Sequence, residues 1–314
     1  MKTTTWLVVG AGAIGLLWTC KLKKLGYKVH LVYRNEDPSD VITLDESLAG
    51  LEEAPILSSF KIKHFQASEL NKEYDKVLFC TKAYDLVNAY QAVKTHLIET
   101  ADIACLCNGL GAQEQLQAVI KNTQTLWAGT TSEGALKIST NKVKHTGLGD
   151  TYFGPWLESN AEKNFPIEGF GVANIHQRLI EKLAINAVIN PITAIYGIQN
   201  GDILNDHFSP LFKNATSELA AFFTRSDFAL REYSKHLNSD NLINRISTVA
   251  QLTRLNRSSM HEDIRLKKQT ENDFISGYLV EKSNNALPIQ ASLYTAVSHP
   301  EQREEIKKKL LSHT

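Results

Sequence analysis

Three polar side chains interrupt an otherwise apolar stretch in the middle of the chain, at Lys182, Asn186 and Asn190 of Lys182-Leu-Ala-Ile-Asn186-Ala-Val-Ile-Asn190-Pro191. At 3.6 residues per turn, steps of four drift by only about 40° and rise about 6 Å. The three therefore form a row roughly 12 Å long on one flank of a helix that is apolar nearly all the way round, the mark of a buried helix. A buried amide or ammonium without a partner costs a few kcal/mol, so three in a row call for a common partner, and a small polar ligand would serve. The plain alternative is that the asparagines pair with neighbouring helices while Lys182 extends its ammonium to water. Pro191 cannot donate to the carbonyl of Ala187, and it is expected to end or kink the helix there.

The totals bound what the rest of the chain can be. Its 314 residues favour two domains, and 43% hydrophobic with 22% charged residues is ordinary for a soluble globular protein. Lys plus Arg and Asp plus Glu both number 34, so no net field favours nucleic acid or an anionic membrane. No uninterrupted apolar run reaches the roughly 18 residues of a membrane span. The opening Met1-Lys-Thr-Thr-Thr lacks signal-peptide architecture, and the four cysteines have no zinc-ligand spacing. The ten histidines are scattered, so no metal site is expected. The expectation is a cytoplasmic protein, monomeric or homodimeric, whose partner is a small molecule rather than nucleic acid or membrane.

The first half reads as alternating strands and helices. Trp6-Leu-Val-Val9 is a buried-strand run, followed by Gly10-Ala11-Gly12-Ala13-Ile14-Gly15, a helical segment, a stop at Gly26 and a second strand over Val29–Tyr33. That context gives G-x-G-x-x-G its meaning. Gly10 allows a tight turn, Gly12 lets backbone approach a pyrophosphate, and Gly15 lets the helix pack on its strand. An acidic residue closing the second strand would hold the ribose of NAD. Here the position is Arg34, whose guanidinium suits the 2′-phosphate of NADP, while Glu36 keeps NAD open.

Strands at Lys76–Cys80, Ile103–Cys107 and from Leu126 each run into small or polar residues. These are Thr81-Lys82-Ala83-Tyr84-Asp85, Asn108-Gly109-Leu110-Gly111 and Gly129-Thr-Thr-Ser-Glu-Gly-Ala135. Carboxyl ends of strands are where such sheets bind ligands, and this places Lys82 within reach of a cofactor. The glycines of 108–111 call for close backbone approach or positive φ. Residues 35–70 are hard to read. Val143 to Phe153 looks like antiparallel strands closing the sheet, and Gly169–Asn174 like a linker.

Beyond it strand signals fade. The boundaries expected are 1–173 for a Rossmann-type α/β domain and 174–314 for an all-α domain. Leu211–Tyr233 reads as one amphipathic helix. Asn200-Gly201 fits turn chemistry. Ser259 with Glu262 fits a capping box, and Thr270 with Asp273 a second cap that leaves Glu271 in a first helical turn.

These pieces together resemble the ketopantoate reductase (2-dehydropantoate 2-reductase) family. The matching segments are GAGAIG at 10–15, TKAYD at 81–85, NGLG at 108–111, GTTSEGA at 129–135, KLAINAVINP at 182–191, NGDIL at 200–204, SSMHEDI at 258–264 and TENDFISGYL at 270–279. The resemblance implies NADPH-dependent reduction of a branched 2-oxo acid to the 2-hydroxy acid pantoate, for pantothenate and coenzyme A synthesis. It implies Lys182 as proton donor to the C2 oxygen. Asn186, Asn190, Asn200 and Ser259 would hold the substrate, and Asn108 both substrate and nicotinamide. Lys82, Ala135 and Glu271 would line the cofactor. Two alternatives stand beside it: a reductase of another branched 2-oxo acid, and a regulatory protein that binds NADP(H) without turnover.

Overall fold

The computed structural model describes residues 4–35, 39–47, 55–225 and 228–312. The chain divides into one unit of Met1–Cys107 with Ala112–Ile175 and a second of Asn108–Gly111 with His176–Thr314.

The first unit contains strands β1 (Thr5–Val9), β2 (Lys28–Val32), β3 (Val41–Asp45), β4 (Leu57–Lys61), β5 (Lys63–Phe65), β6 (Tyr74–Phe79), β7 (Leu97–Leu106), β8 (Thr125–Thr131), β9 (Gly134–Ser139), β10 (Lys142–Gly147) and β11 (Thr151–Pro155). Its helices are α1 (Ala13–Lys24), α2 (Leu86–Val93) and α3 (Ala112–Gln117). Seven strands form a sheet in the order β11-β8-β7-β6-β1-β2-β5, parallel throughout except for the antiparallel edge β11. Chain order reverses between β1 and β6. In a Rossmann-type sheet that reversal opens the ligand crevice at the strands' carboxyl ends. Trp6, Trp18, Trp127 and Phe153 are fully buried in the core, where the Phe153 and Phe165 rings stack 4.3 Å apart.

Two expectations for this unit are corrected. Of the strands between Val143 and Phe153, only β11 joins the main sheet. β10 belongs to a second, four-stranded sheet ordered β4-β3-β10-β9. Its alternation explains why: Val143 and His145 are buried, whereas Lys142 and Lys144 face the other way and would be stranded inside a doubly covered sheet. The hard-to-read residues 35–70 supply the other half of this second sheet, β3 and β4. Nor is Gly169–Asn174 a bare linker, because Phe153 N donates to Phe170 O at 2.8 Å and Val172 N to Phe153 O at 2.8 Å.

The glycine turn follows β1 directly. Gly10 has φ +111°, and a Cβ on it would lie 2.7 Å from the carbonyl oxygen of Cys80. A Cβ on Gly15 would lie 1.8 Å from Gly10 O, so α1 approaches the turn as closely as backbone permits. At Gly12, by contrast, a Cβ would meet nothing within 4 Å. Helix α1 ends in a Schellman motif, with Gly26 (φ +84°) donating to Lys23 O and Tyr27 N to Leu22 O, each at 3.0 Å.

The second unit contains α4 (Ile175–Tyr196), α5 (Ser209–Phe223), α6 (Arg231–Ser234), α7 (Ser239–Leu252), α8 (Ser259–Arg265), α9 (Ser276–Lys282), α10 (Pro288–Ser298) and α11 (Arg303–Ser312). Helix α5 packs on α7 and α10, and α10 on α9 and α11. Pro191 does not end α4, which continues to Tyr196. The flanking turns are buried on both sides of the proline, and Thr193 Oγ1 adds bonds to Ile189 O (2.7 Å) and Asn190 O (3.2 Å). The absence of a span-length segment is also corrected. α4 is long and apolar enough to cross a membrane, at mean hydropathy 1.2, because isolated polar residues break a run without lowering its mean much. It is 78% buried over that window, as befits a core helix of a globular unit. The helix expected over Leu211–Tyr233 is two, α5 and the short α6.

Glu181 ties α4 to its neighbours. Its carboxylate accepts from Gln177 Nε2 at 3.2 Å and Arg245 Nη1 at 2.8 Å, and meets His236 Nε2 at 2.8 Å. Burial pushes its pKa up, but the bonds from Gln177 and His236 and the charge of Arg245 outweigh burial and hold it below the usual value.

Two outcomes follow for stability. Gly15→Ala should lower the unfolding free energy by at least about 2 kcal/mol, because backbone rather than a side-chain tip must yield, while Gly12→Ala should leave it within about 0.5 kcal/mol; denaturant titration of both variants reads the difference. Glu181→Gln should cost about 1 kcal/mol at pH 7, a figure discounted for the solvent screening of Arg245. With a folded pKa below the unfolded value of about 4.3, that contribution is present above pH 4.3 and disappears as pH falls through the folded value, so melts of the two proteins should converge in acid.

Candidate active site

In the first unit the candidate cofactor residues gather where strands end. Gly10, Ala11 and Gly12 lead from β1 into Ala13, Ile14 and Gly15 of α1. Gly12 is the N-cap and no side chain caps the helix, which leaves the first-turn N–H groups and the open space at Gly12 to an anion. Each glycine thus has a distinct geometric reason, and the reasons fit a pyrophosphate. Arg34 follows β2 with its side chain 74% exposed, and its Nη1 donates to Asp85 Oδ1 at 3.1 Å. Glu36, the acidic alternative to Arg34, lies outside the described residues. Lys82 is half-buried after β6, where it begins the turn Ala83–Asp85 that runs into α2. Ala135 lies on β9 opposite His145 and packs against the main core. Glu133 beside it is bonded to Lys21 of α1 and accepts from Thr151 Oγ1 at 3.0 Å, which fixes the 129–135 segment against the helix that starts at the glycine turn.

In the second unit, Asn108–Gly111 and Glu271 meet. Asn108 Nδ2 donates to Glu271 Oε2 at 3.0 Å, and Leu110 N donates to Phe274 O at 2.8 Å. Gly109 (φ +84°) has room for no side chain, since a Cβ would lie 2.1 Å from Phe274 O. Close approach and positive φ, both expected from the two glycines, occur together. The expected cap around Glu271 forms only in part, since Thr270 Oγ1 accepts from Asn272 N at 3.4 Å but Asp273 does not reach back. Glu271 is itself the N-cap of a 3₁₀ turn, Asn272–Phe274, and its side chain makes no cap bond, while Asp273 accepts from Tyr294 Oη at 2.8 Å. The Glu271 side chain, only 4% exposed as a residue, is therefore directed at Asn108 and not at its own helix.

Helix α4 carries the polar row. From Leu179 to Ile195 every residue is buried except Lys182, Ile185 and Asn186, so the helix opens along one stripe and two members of the row lie on it. Asn190, one turn further, is buried. Asn200 is 8% exposed and donates through Nδ2 to Thr253 Oγ1 at 3.0 Å. Thr253 spends its own hydroxyl hydrogen on Val249 O at 2.7 Å, so the group facing it must be the amide N–H. That fixes the amide orientation and leaves Asn200 Oδ1 shielded from solvent with no hydrogen-bond partner. Such an acceptor is suited to a hydroxyl donor.

The capping box expected at Ser259 does not form, and the cap belongs one residue earlier. Ser258 is the N-cap of α8, accepting from His261 N at 3.1 Å, and Glu262 pairs with Arg265 and Arg257 instead of reaching back. Ser259, at the first helical position, is exposed and has no capping duty. The structure also adds residues that sequence spacing did not single out. Thr193, fully buried on α4, gives its hydroxyl hydrogen to the helix's own carbonyls and pairs with Ser258 Oγ at 2.8 Å as acceptor, which fixes the start of α8 beside Ser259. Thr253 orients Asn200, and Asp85 holds Arg34. The sequence signs are slight: Thr193 stands two residues past Pro191, Asp85 closes the TKAYD segment, and Thr253 carries none.

The family model described as Ketopantoate reductase PanE/ApbA matches residues 6–158, and that of its C-terminal domain matches residues 174–299. A 2-dehydropantoate 2-reductase of Vibrio cholerae serotype O1 is 33% identical over 307 residues, covering 94% of this chain and 97% of its own. Among solved structures, a probable 2-dehydropantoate 2-reductase from Bacillus subtilis superposes with TM-score 0.69 at 24% identity, covering 94% of this chain and 99% of its own. A D-mandelate dehydrogenase with NADH and anilino(oxo)acetate does so with TM-score 0.78 at 18% identity, covering 98% and 99%. At those identities the two structures speak for the fold alone. The two family models, matched in order along the chain, and the near full-length relative show that the chain belongs to the ketopantoate reductase family.

Proposed function

We propose that this chain is an NADPH-dependent oxidoreductase that reduces 2-dehydropantoate to pantoate, in the cytoplasmic synthesis of pantothenate. The observation that carries the reading is the single open stripe of α4, along which Lys182 and Asn186 alone are polar in a helix otherwise sealed from Leu179 to Ile195. On that line the ammonium and the amide can meet a small polar ligand, which the sealed faces of the helix could not do.

The Gly10–Gly15 turn holds the cofactor pyrophosphate at the open N-terminus of α1, Arg34 takes the 2′-phosphate, and Lys82, Asn108, Ala135 and Glu271 line the remainder. When bound, reduced nicotinamide supplies hydride to the substrate's C2. As it does, negative charge grows on the C2 oxygen. Lys182 stabilises that charge with its ammonium and delivers the proton to the oxygen. Asn186, Asn190 and Ser259 orient the carboxylate and carbonyl. Asn200 Oδ1 accepts from the terminal hydroxyl, which supplies the partner that the fold leaves out. A regulatory protein that only binds nucleotide would need none of these substrate-facing groups.

Lys182→Ala should lower kcat by about 10²–10⁴-fold while the fluorescence change of bound NADPH persists; a variant that keeps a tenth of wild-type turnover would remove Lys182 from the donor role. Substrate identity is tested at Asn200. Wild type should prefer 2-dehydropantoate to 2-oxoisovalerate, which lacks the terminal hydroxyl, by about 10⁴ in kcat/KM, and Asn200→Ala should erase most of that preference. Equal use of both substrates by wild type would instead favour a broader branched 2-oxo acid reductase.

A further inference from the structure

An ion pair between Arg34 and Asp85 joins the segments that follow two strands of the main sheet. Arg34 follows β2 and Asp85 follows β6, and these two strands flank β1 in the sheet. Strands two apart are separated by about 10 Å. The bond, 3.1 Å from Arg34 Nη1 to Asp85 Oδ1, therefore links the segments that leave the two strands on either side of β1, the strand that runs into the glycine turn. Asp85 does not use its carboxylate to cap α2, at whose start it lies. The pair is solvent-facing, with side-chain exposures of 74% and 28%, so a ligand can reach the guanidinium without opening the core.

We propose that Asp85 is a specificity-determining residue, which narrows the preference for NADPH over NADH by competing with the 2′-phosphate for Arg34. The inference rests on the assignment of Arg34 to that phosphate. A guanidinium already facing a carboxylate has lost part of its attraction for a dianionic group, and a 2′-phosphate seated on Arg34 would bring like charge close to Asp85. The ribose of NADH brings no such charge, and its 2′-hydroxyl can donate to the same carboxylate. Asp85 therefore taxes one cofactor and spares the other. As the pair is exposed, the effect is small: about three- to fivefold, the factor corresponding to the usual worth of a surface pair.

The experiment measures KM and kcat for NADPH and for NADH with saturating 2-dehydropantoate at fixed ionic strength, on wild type, Asp85→Asn, Asp85→Ser and Arg34→Gln. Both Asp85 variants should lower KM for NADPH about three- to fivefold and raise the NADPH-to-NADH ratio of kcat/KM by at least that factor, with the change in KM and not kcat. A merely structural role would move the two cofactors together. An unchanged ratio in both variants, or a rise in KM for NADPH, which would make Asp85 a support that holds Arg34 ready, overturns the proposal. Arg34→Gln separates the two levels. If it leaves KM for NADPH unchanged, the assignment of Arg34 fails and the role of Asp85 falls with it. If it raises KM for NADPH while the Asp85 variants do nothing, the assignment stands and only the inference about Asp85 is lost.

Discussion

Keeping polar side chains on a helix that is sealed in apolar surroundings is the constraint around which the second unit is arranged. Each such group must be answered or left facing a ligand, because an unanswered one costs a few kcal/mol. On α4 the answers are divided. Glu181 is met by Gln177, His236 and Arg245, and Thr193 turns its hydroxyl onto the helix's own carbonyls and onto Ser258. Lys182 and Asn186 keep the only accessible line. Polar groups that tie the helix to its neighbours and polar groups that are only half-buried thus alternate along one helix.

The first unit meets its own constraint at the glycine turn, where the approach of α1 to Gly10 leaves no space for a side chain at Gly15 and ample space at Gly12. The crowded positions are fixed by the fold, whereas the roomy one carries no steric demand from the chain itself. The same division appears at 108–111, where Gly109 is pressed against Phe274 while the adjacent Asn108 is turned to Glu271. Backbone contact fixes the position, and the neighbouring side chain is held by its bond to Glu271.

Much of this was legible in the residues. Buried parallel strands advertise themselves as apolar runs, and β1, β6 and β8 lie where such runs predicted. The glycine turn was legible because three glycines at fixed offsets between a strand and a helix meet the steric demands of a phosphate-binding turn and few others. What escaped was decided by distant partners. β3 and β4 are short, polar on one face, and stable only against β10, whose own alternation of lysine with valine and histidine looked like an edge of the main sheet. The capping serine was misplaced by one residue because Ser258 and Ser259 are equivalent until Thr193, 65 positions earlier, selects Ser258. Pro191 was overread: its local penalty is real, but tertiary burial on both flanks outweighs it.

The second sheet carries a consequence for how the chain acquires its shape. Its central contact pairs Thr43–Asp45 side by side with Lys142–Lys144, so nearly a hundred residues of main-sheet sequence intervene between the partners. As a ribosome releases the chain from its N-terminus, β3 and β4 emerge early and must wait, half-built and with an unsatisfied edge, until β10 is synthesised. The late-arriving hairpin of β9 and β10 brings Ala135 and Glu133 with it. The first unit therefore reaches its finished form only after translation has passed β10 and the edge strand β11, however early the glycine turn itself has folded.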